Sequence, residues 1–188
     1  MQTPFDIDWS SLPVPADDGA ARHLVGRRVA GIALAATKGG TVDLSKLQGL
    51  GVVYIYPMTG RTDRALPAGW NDIPGARGCT PQSCAFRDHF AELRAAGADH
   101  IFGLSTQDTD WQAEAAERLR LPFALLSDAN LAFARALDLP LFEAEGMTLI
   151  KRMTLIIRDG IIVHVFYPVF PPDRNAGDVL AWLEAAGR

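Results

Sequence analysis

The sequence predicts an α/β protein with a mixed central sheet flanked by helices. Apolar segments of strand length alternate with amphipathic segments of helix length through most of the chain. The segment 50–57, LGVVYIYP, is β-branched, aromatic and continuous, which is typical of a strand buried on both faces. The segment 152–168 holds Asp159-Gly160 between two apolar runs, which indicates an antiparallel hairpin. Antiparallel pairing added to a β-α-β core makes the predicted sheet mixed.

The other elements follow in chain order. Strands are predicted at 28–37, 100–106 and 122–128, with a turn at 38–40 and a short strand or helical turn at 41–47. Helices are predicted from residue 80 to about residue 96, at 110–120, at 130–139 and at 175–188. In the first of these helices, Thr80 is expected to be the N-cap, Pro81 the first helical residue and Gly97 the C-terminal stop.

The composition argues against nucleic-acid-binding and membrane-associated functions. The 188 residues carry a net charge of −4 and no long run of Lys or Arg, so neither nucleic acid nor a membrane surface is an expected partner. No apolar stretch is long enough to span a bilayer, and the N-terminus lacks the features of a signal peptide, so a cytoplasmic location is expected. We expect a polar, proline-containing arm at 1–25 and a single domain at 26–188.

The only two cysteines, Cys79 and Cys84, lie five residues apart at the predicted start of a helix. In a reducing compartment such a pair is more often catalytic or redox-active than structural. His89 and His100 do not complete a familiar zinc spacing, and no cofactor motif is found, so neither metal nor cofactor is predicted.

Helix geometry predicts different surroundings for the two cysteines. The N-terminus of a helix favours thiolate over thiol at Cys79, and Arg77 adds positive charge nearby. On an intact helix Cys84 lies about 7.5 Å further along the axis and roughly 140° around it. A disulfide requires Cα atoms within about 7 Å, so this pair can bond only if the helix start unwinds. The alternative is that Cys84 is a buried core residue and Cys79 is incidental.

The neighbourhood of the cysteines resembles a known family. GCTPQSCAFRD at 78–88 is similar to the active-site segment of the Q-type peroxiredoxins, also called bacterioferritin comigratory proteins, and it follows a strand ending in Tyr56-Pro57. The resemblance covers roughly residues 26–168. It continues in the segments 39–47, 101–106, 121–128 and 152–160.

This resemblance implies a thioredoxin-like fold and a thiol peroxidase acting on peroxide. Cys79 matches the peroxidatic cysteine, Cys84 matches the resolving cysteine that forms an intramolecular disulfide with it, and Arg152 matches the arginine that holds the thiolate and orients the peroxide. The alternative for Arg152 is a surface residue at a strand start. For Arg87, the alternative to a role in the site is that it only pairs with Asp88 or a neighbour. Thioredoxin or a similar dithiol protein is the implied reductant, and the protein is expected to be a monomer or weak homodimer.

One departure from the family separates the parts of its peroxide-binding motif. Pro57 and Thr59, the matching substrate-binding residues, precede a loop that places 21 residues between Pro57 and Cys79, where the family has six. Thr59 or Thr62 folds back to bind peroxide, or no threonine does. The resulting insertion of 15 residues is expected to be a lid, a contact for substrate or partner, or a solvated loop.

Three functions therefore stay open at the level of sequence. The first is a two-cysteine peroxiredoxin that reduces hydrogen peroxide or organic hydroperoxides. The second is a thiol-disulfide exchange protein or redox sensor without fast peroxide turnover, which the split motif favours. The third is a non-enzymatic binding protein that uses the insertion as its surface. Peroxide turnover distinguishes the first from the others.

Overall fold

The computed structural model describes residues 7–187, which contain nine β-strands and five α-helices. The strands are β1 (Ala33–Ala36), β2 (Thr41–Asp43), β3 (Leu50–Ile55), β4 (His100–Ser105), β5 (Leu125–Ser127), β6 (Leu141–Ala144), β7 (Met147–Ile150), β8 (Met153–Arg158) and β9 (Ile161–Phe166). The helices are α1 (Cys79–Asp88), α2 (Phe90–Ala95), α3 (Thr109–Arg118), α4 (Ala132–Leu137) and α5 (Asn175–Ala186). None of these helices is long and apolar enough to cross a membrane.

Seven strands form one mixed sheet in the order β2-β1-β5-β4-β3-β8-β9, and β6 pairs with β7 in a separate hairpin. The pairs β3-β4 and β4-β5 are parallel, while the other pairs of the sheet are antiparallel. The predicted α/β class with a mixed sheet and flanking helices is confirmed.

The central strand β3 is buried on both faces, as its sequence predicted. Its Val53 and Ile55 pack in a cluster with α4, whereas its Val52 and Tyr54 pack in a second cluster with α1, α3 and α5. This alternation follows from the period of two along a strand. The second cluster includes Cys79, so the sheet supports the start of α1 directly.

The part of the N-terminal arm that is described, residues 7–25, lies against the domain. Trp9 donates from its indole Nε1 to Asp173 at 2.8 Å, and Leu24 is fully buried in the first core cluster. Asp18 accepts hydrogen bonds from Lys151 and Tyr167, both at 2.8 Å. The boundary predicted at residue 25 stays a prediction.

The strand predicted at 28–37 is shorter in the structure and begins only at Ala33. The preceding residues pair instead with the turn between β8 and β9, where Arg28 bridges Ile161 and the Val29 amide donates to the Gly160 carbonyl at 2.9 Å. The segment 41–47 contains both predicted alternatives, a short strand and a 3-10 turn.

The start of the first helix differs from the prediction that Thr80 caps it. The helix begins at Cys79, and Gly78 is the N-cap, with a left-handed φ of 109°. A Cβ at this position would lie 2.7 Å from Pro172 and 2.8 Å from Trp9, so only glycine fits. The single predicted helix is also two helices, because the chain leaves helical geometry at His89.

Candidate active site

The N-terminus of α1 holds Cys79 at the first helical position, where backbone amides have no partner within the helix. The side chain is 4% exposed and belongs to the core cluster beneath the sheet face. A sulfur anion at this position interacts favourably with the helix dipole. The close approach of Gly78 to its neighbours fixes where the helix starts, and therefore where this sulfur lies.

The guanidinium of Arg152 lies beside this sulfur, with its Nη2 at 3.1 Å from Cys79 Sγ. Arg152 is 3% exposed and directly precedes β8. Its Nε donates to the Gly75 carbonyl at 3.2 Å, and its Nη2 also donates to Ala76 and Arg77 carbonyls at 3.0 and 3.2 Å. Six ion pairs occur among residues 7–187, and none of them includes Arg152. The Cys79 sulfur therefore accepts from a buried guanidinium that has no carboxylate partner in the described part of the chain.

A buried chain of polar groups continues from this arginine to the last helix. Gln82 Oε1 accepts a hydrogen bond from Arg152 Nη1, and Gln82 Nε2 donates to Asn175 Oδ1 at 2.9 Å. Thr154 Oγ1 donates to the same oxygen at 2.6 Å. Gln82, Asn175 and Thr154 are each at most 1% exposed. These contacts hold both Arg152 and the first turns of α1.

Cys84 has different surroundings from Cys79. Its side chain is half-buried, and burial raises the pKa of its thiol above the ordinary value of 9.0, while the nearby Arg87 acts in the opposite direction. Arg87 also donates to Asp88 at 2.8 Å and to the Leu119 carbonyl at 2.9 Å, so the expected pairing with a neighbour is present. The two cysteines are free and lie beyond disulfide distance.

The two residues expected to bind substrate, Pro57 and Thr59, precede the insertion, and Thr59 is hydrogen-bonded to side chains of other elements. Pro57 and Thr59 are both buried. The Thr59 hydroxyl donates to Gln107 Oε1 at 3.2 Å, and its carbonyl accepts from Trp111 Nε1 at 2.9 Å. Thr62 is exposed. The substrate-binding role of Pro57 and Thr59 stays a prediction.

The 58–78 segment forms the predicted loop, in which residues 62–66 are exposed while Met58, Trp70 and Ala76 are buried. Trp70 is 4% exposed and lies 6.2 Å, between ring centroids, from Phe142 of the β6-β7 hairpin. Arg118 of α3 donates to the Gly60 carbonyl at 2.9 Å. The loop therefore shares a small apolar cluster with the β6-β7 hairpin and with Trp111 of α3.

A cavity of about 210 Å³ lies over Cys79. The insertion contributes an apolar wall that includes Met58, Leu66 and Trp70, while Arg77 lines the same cavity. Arg77 donates to an amide oxygen and takes no part in the ion pairs recorded for residues 7–187. A single water needs about 15 Å³ of such space, so the cavity has room for a molecule larger than hydrogen peroxide.

The histidines have contacts that suit structural roles. A ring nitrogen of His89 lies 3.0 Å from the Ala85 carbonyl, and one of His100 lies 3.1 Å from the Gln48 carbonyl. The His164 ring stacks 5.0 Å from Trp182. Among residues 7–187, no group of three or more His, Cys, Asp or Glu side chains is arranged to hold a metal ion.

Gln82 and Asn175 were not predicted as site residues. Gln82 lies inside the quoted cysteine motif, and the signal that identifies it is a polar residue on the buried face of a helix. Asn175 is 93 positions away from Gln82, and no spacing in the sequence connects the two.

A mixed sheet with flanking helices, and a buried cysteine at a helix N-terminus in contact with a buried arginine, are features of a protein of thioredoxin-like architecture. Residues 17–180 match the family model described as Redoxin, and the chain belongs to that family. In sequence it is similar to the chloroplastic peroxiredoxin Q of Triticum aestivum, with 32% identity over 148 residues. The match covers 78% of this chain and 60% of that relative, so the chain spans about three fifths of the length of the curated relatives it matches.

Solved structures of similar proteins share the fold. Peroxidoxin BcpB from Mycobacterium tuberculosis has a TM-score of 0.67 at 30% identity, covering 86% of this chain and 96% of that one. Peroxiredoxin Q from Xanthomonas campestris has a TM-score of 0.64 at 24% identity, covering 84% and 92%. The thioredoxin-like peroxiredoxin fold expected from the resemblance is confirmed.

Proposed function

We propose that the protein is a thiol-dependent peroxidase that reduces hydrogen peroxide or organic hydroperoxides through Cys79. The observation that carries the proposal is the buried Arg152 guanidinium, 3.1 Å from the Cys79 sulfur. The thiolate attacks the terminal peroxide oxygen, the O–O bond breaks, and the alcohol or water leaves with a proton. Arg152 stabilises the thiolate before the attack and the negative charge that develops on the leaving oxygen during it.

The second step of the proposed cycle uses Cys84. Its thiolate attacks the sulfur of the Cys79 sulfenic acid, a disulfide forms and water leaves. Both cysteines belong to α1, so the residues between them leave helical geometry before the sulfurs meet. An external dithiol, thioredoxin or a protein like it, then reduces the disulfide and α1 folds again.

The cavity over Cys79 supports organic hydroperoxides as substrates in addition to hydrogen peroxide. Its wall of Met58, Leu66 and Trp70 offers an apolar surface to the organic part of a substrate. The relatives named peroxiredoxin and peroxidoxin support the same reaction class.

A second candidate function is thiol-disulfide exchange without fast peroxide turnover. The observation that favours it is the Thr59 hydroxyl, which is engaged with Gln107 and does not line the cavity at Cys79. In that case the nucleophile is the same and the oxidant is a disulfide.

Stopped-flow reduction of peroxide by the reduced protein tests the proposal, with Cys79→Ser and Cys84→Ser variants measured in parallel. The wild type is expected to react far faster than a free thiol. Cys79→Ser is expected to be inactive, and Cys84→Ser to react once and stop as sulfenic acid. A wild type no faster than an ordinary thiol contradicts the peroxidase and leaves disulfide exchange, which reaction with a model disulfide then measures.

A further inference from the structure

The four residues between the two cysteines differ in how they are held. Thr80 and Pro81 are half-buried, whereas Gln82 and Ser83 are fully buried and hydrogen-bonded. Since these four residues connect the sulfurs, none keeps its helical position when the disulfide forms. The interactions of Gln82 and Ser83 are therefore broken in every catalytic cycle of the proposed function.

Gln82 is held more strongly than Ser83. Its amide bonds at both ends, to the buried guanidinium of Arg152 and to Asn175 Oδ1, which also accepts from Thr154. When Gln82 leaves, Arg152 loses an acceptor and Asn175 loses a donor, while Thr154 keeps its bond to Asn175. An unsatisfied buried polar group is costly. Ser83 has one side-chain bond, to the Tyr54 hydroxyl at 3.1 Å.

We propose that Gln82 and Asn175 form a latch that ties the first turns of α1 to α5 and sets the rate at which Cys84 resolves oxidised Cys79. The proposal rests on the proposed function. The latch keeps the nucleophile assembled beside Arg152 while peroxide reacts. It also delays unwinding afterwards, so Asn175, on the last helix, is a positioning residue for the second step and has no contact with the sulfur.

The latch makes two reactions compete for the oxidised sulfur. In one, the Cys84 thiolate attacks the sulfenic sulfur, the S–S bond forms and water leaves. In the other, the sulfenate attacks a second hydroperoxide, its O–O bond breaks, and Cys79 becomes sulfinic acid while an alcohol is released. A slower latch release gives the second reaction more time, so the latch determines how much peroxide the protein tolerates before it is inactivated.

Asn175→Ala is the central test, because it removes the oxygen that accepts from Gln82 and leaves the contacts of Arg152 with Cys79 intact. Reduced protein is mixed with peroxide, and sulfenic acid and disulfide are followed separately by quenching and mass spectrometry. Disulfide formation is expected to be about five- to tenfold faster than in the wild type, as one buried hydrogen bond is lost. The peroxide concentration that inactivates half of the protein is expected to rise by a similar factor.

Hydrogen exchange on the reduced protein gives a readout independent of peroxide chemistry. The amides at 82–84, the first that bond within α1, are expected to exchange faster in Asn175→Ala, with those of α4 unchanged. If the wild type forms no disulfide with peroxide, the proposed function fails, and this exchange measurement still supports or overturns the latch.

Asp128→Asn is the matched control, since Asp128 is a buried acceptor for the Phe133 and Ala134 amides of α4 and is far from α1 in the sequence. It is expected to lower the thermal midpoint without accelerating resolution. Equal acceleration in the control, or an unchanged resolution rate with unchanged exchange at 82–84 in Asn175→Ala, overturns the latch. If Asn175→Ala does not fold, Asn175→Ser replaces it, since serine also removes the Oδ1 that accepts from Gln82. An acceleration of about two- to fivefold is expected, and an unchanged rate overturns the proposal.

Discussion

Cys79 and Cys84 share one helix but have opposite surroundings. Cys79 is at the helix N-terminus, nearly inaccessible, and 3.1 Å from a guanidinium that has no carboxylate partner among the described residues. Cys84 is half-buried against the apolar cluster, and burial raises the pKa of its thiol. The same residue type therefore lies beside a buried cation at one position and in apolar surroundings five residues later in the same helix. In the proposed function, Cys79 is the nucleophile and Cys84 makes the second attack.

The largest effect is expected from removing the Arg152 guanidinium, which distinguishes the surroundings of Cys79 from those of Cys84. In Arg152→Met the Cys79 sulfur loses its buried cation, so peroxide reduction is expected to slow by about 10²- to 10³-fold. Arg152→Lys keeps the charge but not the planar fork that also binds Gln82, and an intermediate loss is expected. Stopped-flow measurement of the first step on reduced protein checks both variants. A methionine variant that keeps near wild-type rates would show that the helix N-terminus alone activates Cys79.

The pH dependence of disulfide formation tests the surroundings of Cys84. Burial raises the pKa of the Cys84 thiol while α1 is helical, so the neutral thiol stabilises the helix. This stabilisation is fully present below the ordinary pKa of 9.0 and is lost as the pH rises above it. Higher pH therefore supplies more thiolate and also weakens the helix. Disulfide formation is expected to accelerate about tenfold per unit between pH 6 and 8. Quench-flow detection of the disulfide measures it, and a flat profile contradicts the expectation.

The insertion makes a further contrast, because it lines the cavity over Cys79, a cavity that Cys84 does not line. Trp70→Ala removes a buried ring from the cavity wall and is expected to cost about 3–5 kcal/mol in the free energy of unfolding. Reaction with cumene hydroperoxide is expected to slow by about tenfold, as apolar contact with the substrate is lost, and reaction with hydrogen peroxide to change less. Trp70→Phe is the matched control. Denaturant unfolding and stopped-flow kinetics measure the two effects, and equal slowing with both peroxides contradicts a role in substrate binding.

The strands that support the site could be predicted from local sequence patterns. Burial of β3 on both faces followed from its continuous apolar run, and the β8-β9 hairpin followed from Asp159-Gly160, which have positive φ values of 50° and 77°. These features depend on neighbouring residues and need no knowledge of distant contacts. The pairing of Arg152 with Cys79 spans 73 positions and was expected only through the family resemblance.

One hairpin with a weak turn signal and several contacts between distant residues were not predicted from the sequence. The β6-β7 hairpin turns at Glu145-Gly146, with φ values of 47° and 76°, and glutamate is an unusual residue for that conformation, so the turn signal was weak. The direction of the Thr59 hydroxyl is decided by Gln107, and the burial of Gln82 by Asn175. Each of these partners lies far along the chain, and hydrophobic periodicity carries no information about such pairs.

The smallest expected effect concerns the residue next to Gln82. Tyr54→Phe removes the hydroxyl that bonds Ser83 and keeps the ring that stacks on Phe86, with a centroid distance of 4.4 Å. A buried serine on a helix has a second option, the carbonyl four residues earlier, so the loss is partly compensated. Disulfide formation is expected to accelerate by about two- to threefold, less than in Asn175→Ala, with the first step unchanged. Quench-flow kinetics of both variants measure the ranking. A larger acceleration in Tyr54→Phe would move the main restraint on α1 from the polar chain at Gln82 to the contact between Ser83 and the sheet.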